Sequence, residues 1–274
     1  MMLNLMNLLP LNLMPLEGGE GHGGGYTPPS VEDFWFDGNY GIGWLTKPAM
    51  QAIIAAVLVL GFWLWASRGL KVRPTKRQFF FEYVYDFIRN GVARDTLGRD
   101  YRKFLPYLLA LFSFILVNNW MGEFFLTMLP TFSNIGYAYA LALVSWIVYM
   151  GAGFAKHGVG GYLKHSLMPP GAPWYLMPLL IPLEFLSNFI VRPVTLALRL
   201  FANMFAGHLV VLVFVVGGAY LLTNGPVFNR VAGGVSLLFS FAILFLELFV
   251  GALQAYIFTV LTAQYVSSSI ADEH

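Results

Sequence analysis

The sequence predicts an all-α integral membrane protein with about five membrane-embedded helices, an amphipathic surface helix, and a final antiparallel pair of long, strongly tilted helices. Of its 274 residues, 58% are hydrophobic and only 11% are charged, and the mean hydropathy is +0.66. Soluble domains average about 25% charged residues, so this composition lies outside their range. Several apolar runs are long enough to cross a bilayer, and two are much longer.

Charge and cysteine content exclude several classes of function. The net charge of +2 is too small to indicate nucleic-acid binding. The absence of cysteine excludes disulfides, thiolate metal sites and cysteine nucleophiles. The five histidines show no metal-ligand spacing, so we expect neither a metal nor a cofactor; they are His22, His157, His165, His208 and His274.

The N-terminal segment, 1–47, is expected to be external. Its first 16 residues are apolar but have no basic region before Glu17, so they do not match a secretory signal, although a processed leader stays open. Residues 17–25 are rich in glycine and are typical of a flexible linker.

A basic block sets the predicted orientation. Ten of the sixteen Lys and Arg residues lie within 68–103, so the positive-inside rule places this loop in the cytoplasm. Within it, Phe79, Phe80, Tyr83 and Phe87 recur at helical spacing, which indicates an amphipathic helix on the membrane surface. The N-terminus is then outside and the C-terminus is cytoplasmic.

Two apolar stretches near the C-terminal end are too long for perpendicular spans. They run from about Met177 to Leu222 and from Pro226 to Ser269. A helix of about 44 residues is about 66 Å long, roughly twice the hydrocarbon thickness. Each stretch is either a hairpin of short helices or one strongly tilted helix. Neither midpoint has turn residues, so we favour long helices, joined by a turn at 223–226.

The remaining boundaries follow from the same hydropathy pattern. The predicted segments are a first span at 48–67, second and third spans within 104–155, a cytoplasmic loop at 156–175, the tilted helix pair at 176–269 and a cytoplasmic tail at 270–274.

Three ionisable residues lie inside the two long stretches: Arg199, His208 and Glu247. Charges at this depth cost several kcal/mol, so they face protein or water and often mark a pathway. Arg199 is a permanent cation that needs a partner. A structural ion pair with Glu247 or Glu184 and a functional fixed charge are both open.

Helical spacing sorts these residues into faces. Asn203 lies on the face of Arg199, and His208 lies on the opposite face. Ser240, Glu247, Gln254 and Tyr265 form one polar stripe on the last helix, which for Ser240 and Gln254 could simply be packing. His208 and Glu247 suggest a proton relay, with a purely structural pair as the alternative.

Two runs carry a specific family resemblance. Residues 192–208, RPVTLALRLFANMFAGH, resemble the signature RPx(S/T)LxLRLFxNMxAGxL of the subunit a family of F-type ATP synthases. The run from Leu253 to Thr262, after Glu247, is similar to the C-terminal motif of that family. The resemblance extends from about Phe34 to the C-terminus.

The resemblance implies a proton-translocating stator subunit of the ATP synthase that is not itself catalytic. Two offset half-channels and Arg199 would couple proton flow to rotation of a c-subunit ring, with b-type peripheral stalk subunits as further partners in the bilayer. Asn203 and Gln254 would lie beside Arg199, and His208 and Glu247 would serve the outer half-channel. The implied location is a bacterial plasma membrane, with the mitochondrial inner membrane as the alternative.

Four further residues are candidates for the access pathway: Glu184, Glu123, Ser240 and Tyr265. Glu184 resembles a carboxylate of the pathway of His208 and Glu247. It lies nine residues before Pro193 where the family pattern has eight, so a local bulge would have to restore its face. Glu123 stands one position after Gly122, which occupies the aligned site.

Two other classes fit less well. A secondary transporter predicts inverted repeats and paired helix breaks, which the sequence lacks. An intramembrane enzyme needs a nucleophile with a base or a metal triad, and no such constellation is present. ATP chemistry is not predicted either, since there is no GxxxxGK(S/T) phosphate loop.

Overall fold

A computed structural model of the chain describes residues 28–29, 46–69, 71, 73, 75–124, 130–168, 174–224 and 226–271. Most of the predicted external segment, its glycine-rich linker and the last three residues of the predicted tail lie outside the described residues. Helix α1 spans Lys47–Ala66. It begins where the Thr46 hydroxyl accepts a hydrogen bond from the Ala49 N–H (3.4 Å), and Pro48 occupies its first turn, where no helical N–H is needed.

The basic block is largely helical rather than a loop. Helix α2 spans Lys76–Ile88 and continues through a π segment, Arg89–Arg94, into the short helix α3, Asp95–Leu97. The predicted helix is confirmed. Of its apolar side chains, Phe81 and Ile88 are buried whereas Phe79, Phe80 and Tyr83 are exposed, and its place on the membrane surface stays a prediction. A 3-10 turn, Gly98–Asp100, ends this region, and Gly98 has a φ of 55° that other residues rarely adopt.

The second and third spans are confirmed as helices. Helix α4 spans Tyr101–Glu123 and α5 spans Ile135–Leu167. The prediction of a loop from 156 is wrong as far as Leu167, since helical structure resumes after a break at Gly158 (φ 70°). The glycines of this region allow the break without ending the helical path. The prolines at 169, 170 and 173 lie outside the described residues.

The long-helix prediction is confirmed over the hairpin alternative. Helix α6, Met177–Phe185, continues through a π segment, Leu186–Val191, into α7, Arg192–Asn224. Pro193, which lacks an N–H and crowds the preceding turn, is the second residue after the π segment. Helix α8, Val227–Ile270, runs for 44 residues without a break.

Helices α7 and α8 pack along each other as an antiparallel pair and α4 and α5 pack against them, whereas α1 contacts mainly α4. Near the turn at 223–226 the pair approaches closely, because a Cβ at Gly233 would lie 2.7 Å from the Gly218 carbonyl oxygen. The Ser236 hydroxyl donates a hydrogen bond to the Phe214 carbonyl across the same interface (2.8 Å).

Five helical stretches of the described chain are long and apolar enough to cross a membrane: Lys47–Ala66, Lys76–Glu123, Ile135–Lys164, Met177–Thr223 and Val227–Ile270. An unbroken helix the length of α8 is about 66 Å long, against a hydrocarbon thickness of about 30 Å. It must therefore cross the membrane obliquely, and its antiparallel partner α7 with it.

Candidate functional site

Arg199 lies on the exposed face of α7. Among the described residues, no ion pair or hydrogen bond joins its guanidinium to another group, so the structural pair with Glu247 or Glu184 is not formed. An arginine remains charged at any working pH. Within this chain, the cation of Arg199 is therefore not neutralised by a carboxylate of the described residues.

Small side chains surround Arg199 on that face. Thr195, Ala202 and Ala206 are exposed on the same side of α7, and Asn203 is half-buried beside them. Small residues permit a second helix to approach the backbone closely in a membrane. The face is therefore shaped for close contact with another helix at the level of Arg199.

His208 lies on the opposite, buried face of α7, as helical spacing predicts. It is 5% exposed, and its Nε2 lies 2.9 Å from the Gly122 carbonyl oxygen. Its Nδ1 lies 3.0 Å from Oε1 of Glu123, whose carboxylate is also buried. The end of α4 therefore supplies a backbone carbonyl and a carboxylate to the imidazole.

The backbone contact defines one end of the imidazole. A backbone carbonyl only accepts hydrogen bonds, so Nε2 carries a hydrogen. Nδ1 faces the carboxylate of Glu123 but makes no hydrogen bond among the described residues. The carboxylate of Glu123 therefore lies close to the second ring nitrogen.

Glu247 is not directly bonded to His208, and the predicted relay between them stays a prediction. No hydrogen bond or ion pair joins the two residues. Instead, the Glu247 carboxylate packs against Gly207, where an added Cβ would overlap it. The residue is half-buried, so Glu247 reaches the same region of α7 from α8 while Glu123 occupies the contact with the imidazole.

Buried amides extend the site along α4. Asn119 donates a hydrogen bond to the Gly251 carbonyl (2.9 Å), and Gln51 donates one to the Asn118 carbonyl (3.4 Å). The amide oxygens of all three residues, and Nε2 of Gln254, are buried without a partner among the described residues. Such groups are usually satisfied by ordered water, so this interior is polar enough to hold it.

Gln254 and Ser240 differ in what they contact. Gln254 is buried, but it makes no hydrogen bond with Arg199 among the described residues. The Ser240 hydroxyl donates to the Leu237 carbonyl of its own helix (2.7 Å), which agrees with the packing interpretation of that residue.

Glu184 belongs to a separate polar cluster at the other end of the α6–α7 helix. Its Oε2 accepts a hydrogen bond from Asn188 Nδ2 (3.2 Å), which also donates to the carbonyl of Ser166 (2.9 Å). The Asn188 carbonyl accepts from the Tyr149 hydroxyl (3.0 Å). Glu184 is thus bonded to Asn188 rather than to His208 or Glu247, and its part in their pathway stays a prediction.

A bulge does occur where the spacing of Glu184 requires one. The π segment Leu186–Val191 lies between Glu184 and Pro193, and a π turn accommodates one residue more than an α turn.

Tyr265 lies near the same cluster. The Arg192 guanidinium lies over the Tyr265 ring at 5.0 Å, and that ring contacts Tyr149 edge-on at 5.7 Å. Tyr265 thus belongs with the Glu184 cluster.

Sequence reasoning missed how closely Glu123 and Gly122 approach His208. The sequence signal for Glu123 was that the family pattern has an acidic residue one position earlier, where this chain has Gly122. Both residues contact the imidazole, Gly122 through its backbone carbonyl and Glu123 through its carboxylate.

Comparisons with known proteins agree with the resemblance. A family model described as "ATP synthase A chain" matches residues 49–267. A protein named "ATP synthase subunit a" from Nocardioides sp. is 45% identical over 265 residues, covering 92% of this chain and 96% of the relative. Proteins of that name from Pseudarthrobacter chlorophenolicus and Paenarthrobacter aurescens are each 39% identical, with the same coverage.

Proposed function

The chain belongs to the ATP synthase A chain family, and from this premise we propose that it is the stator subunit that carries protons through the membrane sector of an F-type ATP synthase. Two offset half-channels and a fixed arginine would couple proton flow to rotation of a ring of c subunits. ATP chemistry would take place in other subunits, and b-type peripheral stalk subunits would hold this chain still. Its relatives are bacterial, so we place it in a bacterial plasma membrane with the N-terminus outside.

The observation that carries this proposal is the exposed, unpaired guanidinium of Arg199 on a face of small side chains. A permanent charge within a membrane needs an anionic or strongly polar partner. Since no described carboxylate of this chain meets it, we place its partner on another subunit. A carboxylate on a passing ring helix meets both requirements, the charge and the close contact.

The outer half-channel would comprise His208, Glu123 and Glu247, with Asn118 and Asn119 beside them. The close contact of His208 with Glu123 would allow a proton to pass between the two side chains. Glu247, half-buried on α8, is placed to pass that proton towards the ring. General acid–base groups of this kind need to lie within hydrogen-bond reach or one water apart.

The inner half-channel would be formed by the cluster of Glu184, Asn188 and Tyr265. Along α7, His208 follows Arg199 by nine residues, and Arg192 precedes it by seven, which is about 13 Å and about 10 Å of helix. A proton that enters beside His208 therefore cannot reach the Glu184 cluster without passing the cation. It must travel on the ring.

The coupling has a simple electrostatic basis. Each proton that crosses a potential of 100 mV supplies about 2.3 kcal/mol. A direct path between the half-channels would dissipate this energy, whereas Arg199 repels a free proton and attracts a deprotonated ring carboxylate. Rotation then becomes the route of lowest energy.

Arg199→Ala tests the proposal in the assembled complex. We expect proton-driven ATP synthesis to vanish while passive proton leak through the membrane sector persists or increases. The matched control is Arg99→Ala, which removes an exposed arginine of the basic block and should leave both rates near wild type. Normal ATP synthesis in Arg199→Ala would contradict the proposal. Purification of the chain without a small ring subunit that carries a carboxylate would contradict it as well.

A further inference from the structure

A pocket of about 250 Å³ lies where the chain turns from α1 into α2, far from the residues of the proton pathway. Its lining consists of Ala66, Arg68, Gly69, Thr75, Arg77 and Gln78. Gly69 makes the turn with a φ of 72°, a conformation that residues with a Cβ rarely adopt. The pocket is therefore a feature of the turn itself.

The pocket is held by side chains that lock the turn onto α2. The Lys71 N–H donates to Oε1 of Gln78 (3.0 Å), and Nε2 of Gln78 donates to the Lys71 carbonyl (2.9 Å). The Thr75 hydroxyl accepts from the Gln78 N–H (3.3 Å). Arg77 donates to the Trp65 carbonyl (2.9 Å), and its guanidinium lies over the Trp65 ring at 3.9 Å. These connections fix the backbone at Lys71 and the guanidinium of Arg77.

The charge around this pocket is strongly positive. Five basic residues occur between positions 68 and 77 without an acidic one: Arg68, Lys71, Arg73, Lys76 and Arg77. No ion pair neutralises any of them within the described part of the chain. One acidic residue borders the pocket lining, since Glu82 accepts a hydrogen bond from Gln78 (2.7 Å). The site therefore has an excess of donors for an anion.

Exposed rings place the pocket at the level of lipid headgroups. Trp65, Phe79, Phe80 and Tyr83 are between 50% and 67% exposed on the surface beside it. Aromatic rings of this kind concentrate at the boundary between hydrocarbon and water, and basic residues lie just beyond them. Basic pockets beside spanning helices on the cytoplasmic side are typical sites for acidic headgroups.

We propose that this pocket binds the phosphate headgroup of an anionic phospholipid from the leaflet on the basic side of the membrane. Arg68 and the unused donors of Arg77 would contact the phosphate, with Lys71 beside them. The acyl chains would lie along the exposed rings of Trp65 and Phe79. The bound lipid would fasten the turn between α1 and α2 to the membrane surface.

The test uses the assembled complex reconstituted in vesicles of phosphatidylcholine that contain about one-fifth phosphatidylglycerol. Lipid retained after purification is counted by native mass spectrometry for the wild type, for Arg68→Gln with Lys71→Gln, and for Arg94→Gln with Arg99→Gln. The second pair is the matched control, because it removes the same charge from the same basic block outside the pocket. We expect the pocket pair to lower phosphatidylglycerol retention about tenfold and the control pair to change it less than twofold.

Three results would overturn the proposal. Equal losses in both pairs would mean that only the general charge of the block attracts lipid. Complete displacement of the lipid by millimolar inorganic phosphate would identify a site for the free anion instead. Unchanged lipid retention, together with loss of another subunit from the pocket variant, would identify a protein contact.

Discussion

His208 and Glu123 come from different helices, yet Nδ1 of the imidazole lies 3.0 Å from Oε1 of the carboxylate, and both side chains are buried. Burial of a polar group without a partner is costly, and this contact gives each buried side chain a polar neighbour. The remaining ring nitrogen contacts a backbone carbonyl. That second contact fixes the orientation of the imidazole, with Nδ1 facing the carboxylate of Glu123.

Replacing the carboxylate at position 123 should therefore slow proton entry. We expect Glu123→Gln to reduce the initial rate of ATP synthesis driven by an imposed proton gradient about tenfold or more, because glutamine cannot take up the proton. Asp95→Asn is the control, since it neutralises an exposed acid in the basic block. A Glu123→Gln complex that works at the wild-type rate would limit Glu123 to packing.

The close contact between Gly207 and Glu247 can be tested with a single methyl group. Gly207→Ala introduces a Cβ where the Glu247 carboxylate lies, so the carboxylate must move. We expect proton-driven synthesis to fall several-fold, approaching the rate of Glu247→Gln. Gly151→Ala, a glycine of α5 with open space around it, should be neutral. A normal Gly207→Ala beside an impaired Glu247→Gln would show that the carboxylate works from another position.

Asn188 should matter for the inner cluster in both stability and transport. Asn188→Ala removes the donor to Glu184 and Ser166, and losing hydrogen bonds to these half-buried partners costs about 1 kcal/mol. We expect a lower melting temperature of the purified complex and slower proton release. Ser187→Ala is the control, because the neighbouring hydroxyl makes no hydrogen bond among the described residues. Equal behaviour of the two variants would contradict a role for this cluster.

The tight approach of α7 and α8 predicts a steric effect near their connection. A Cβ at Gly233 would lie 2.9 Å from the Leu222 nitrogen as well as against the Gly218 carbonyl, and backbone cannot yield as a side chain can. We expect Gly233→Ala to destabilise the pair by about 1–3 kcal/mol and to lower the yield of assembled complex. Gly234→Ala, where the space is open, should assemble normally.

Helix lengths were predictable because hydropathy and membrane thickness constrain them directly. The run that became α8 has no residue that would break a helix at its midpoint, so its length alone excluded a perpendicular span. The helix beyond Lys156 was harder to predict, because glycines favour both a loop and the single break that occurs at Gly158.

The partners of His208 were not predictable in the same way. Helical spacing assigns His208 to the face opposite Arg199, and that assignment holds. The spacing within one helix does not give the register between helices, so it could not distinguish Glu247 on α8 from Glu123 at the end of α4. Only the packed structure places the carboxylate of Glu123 on the imidazole.

The π segment Leu186–Val191 divides one continuous helix into two rotational phases. Side chains before it and after it are each regularly spaced, but the two series are offset from one another. A gain or loss of one residue in this part of the chain can therefore be absorbed by forming or removing the wide turn, while Arg199 and everything beyond it keep their orientation. Related sequences that differ by one residue in this segment would thus preserve the same pathway by forming or omitting the π turn.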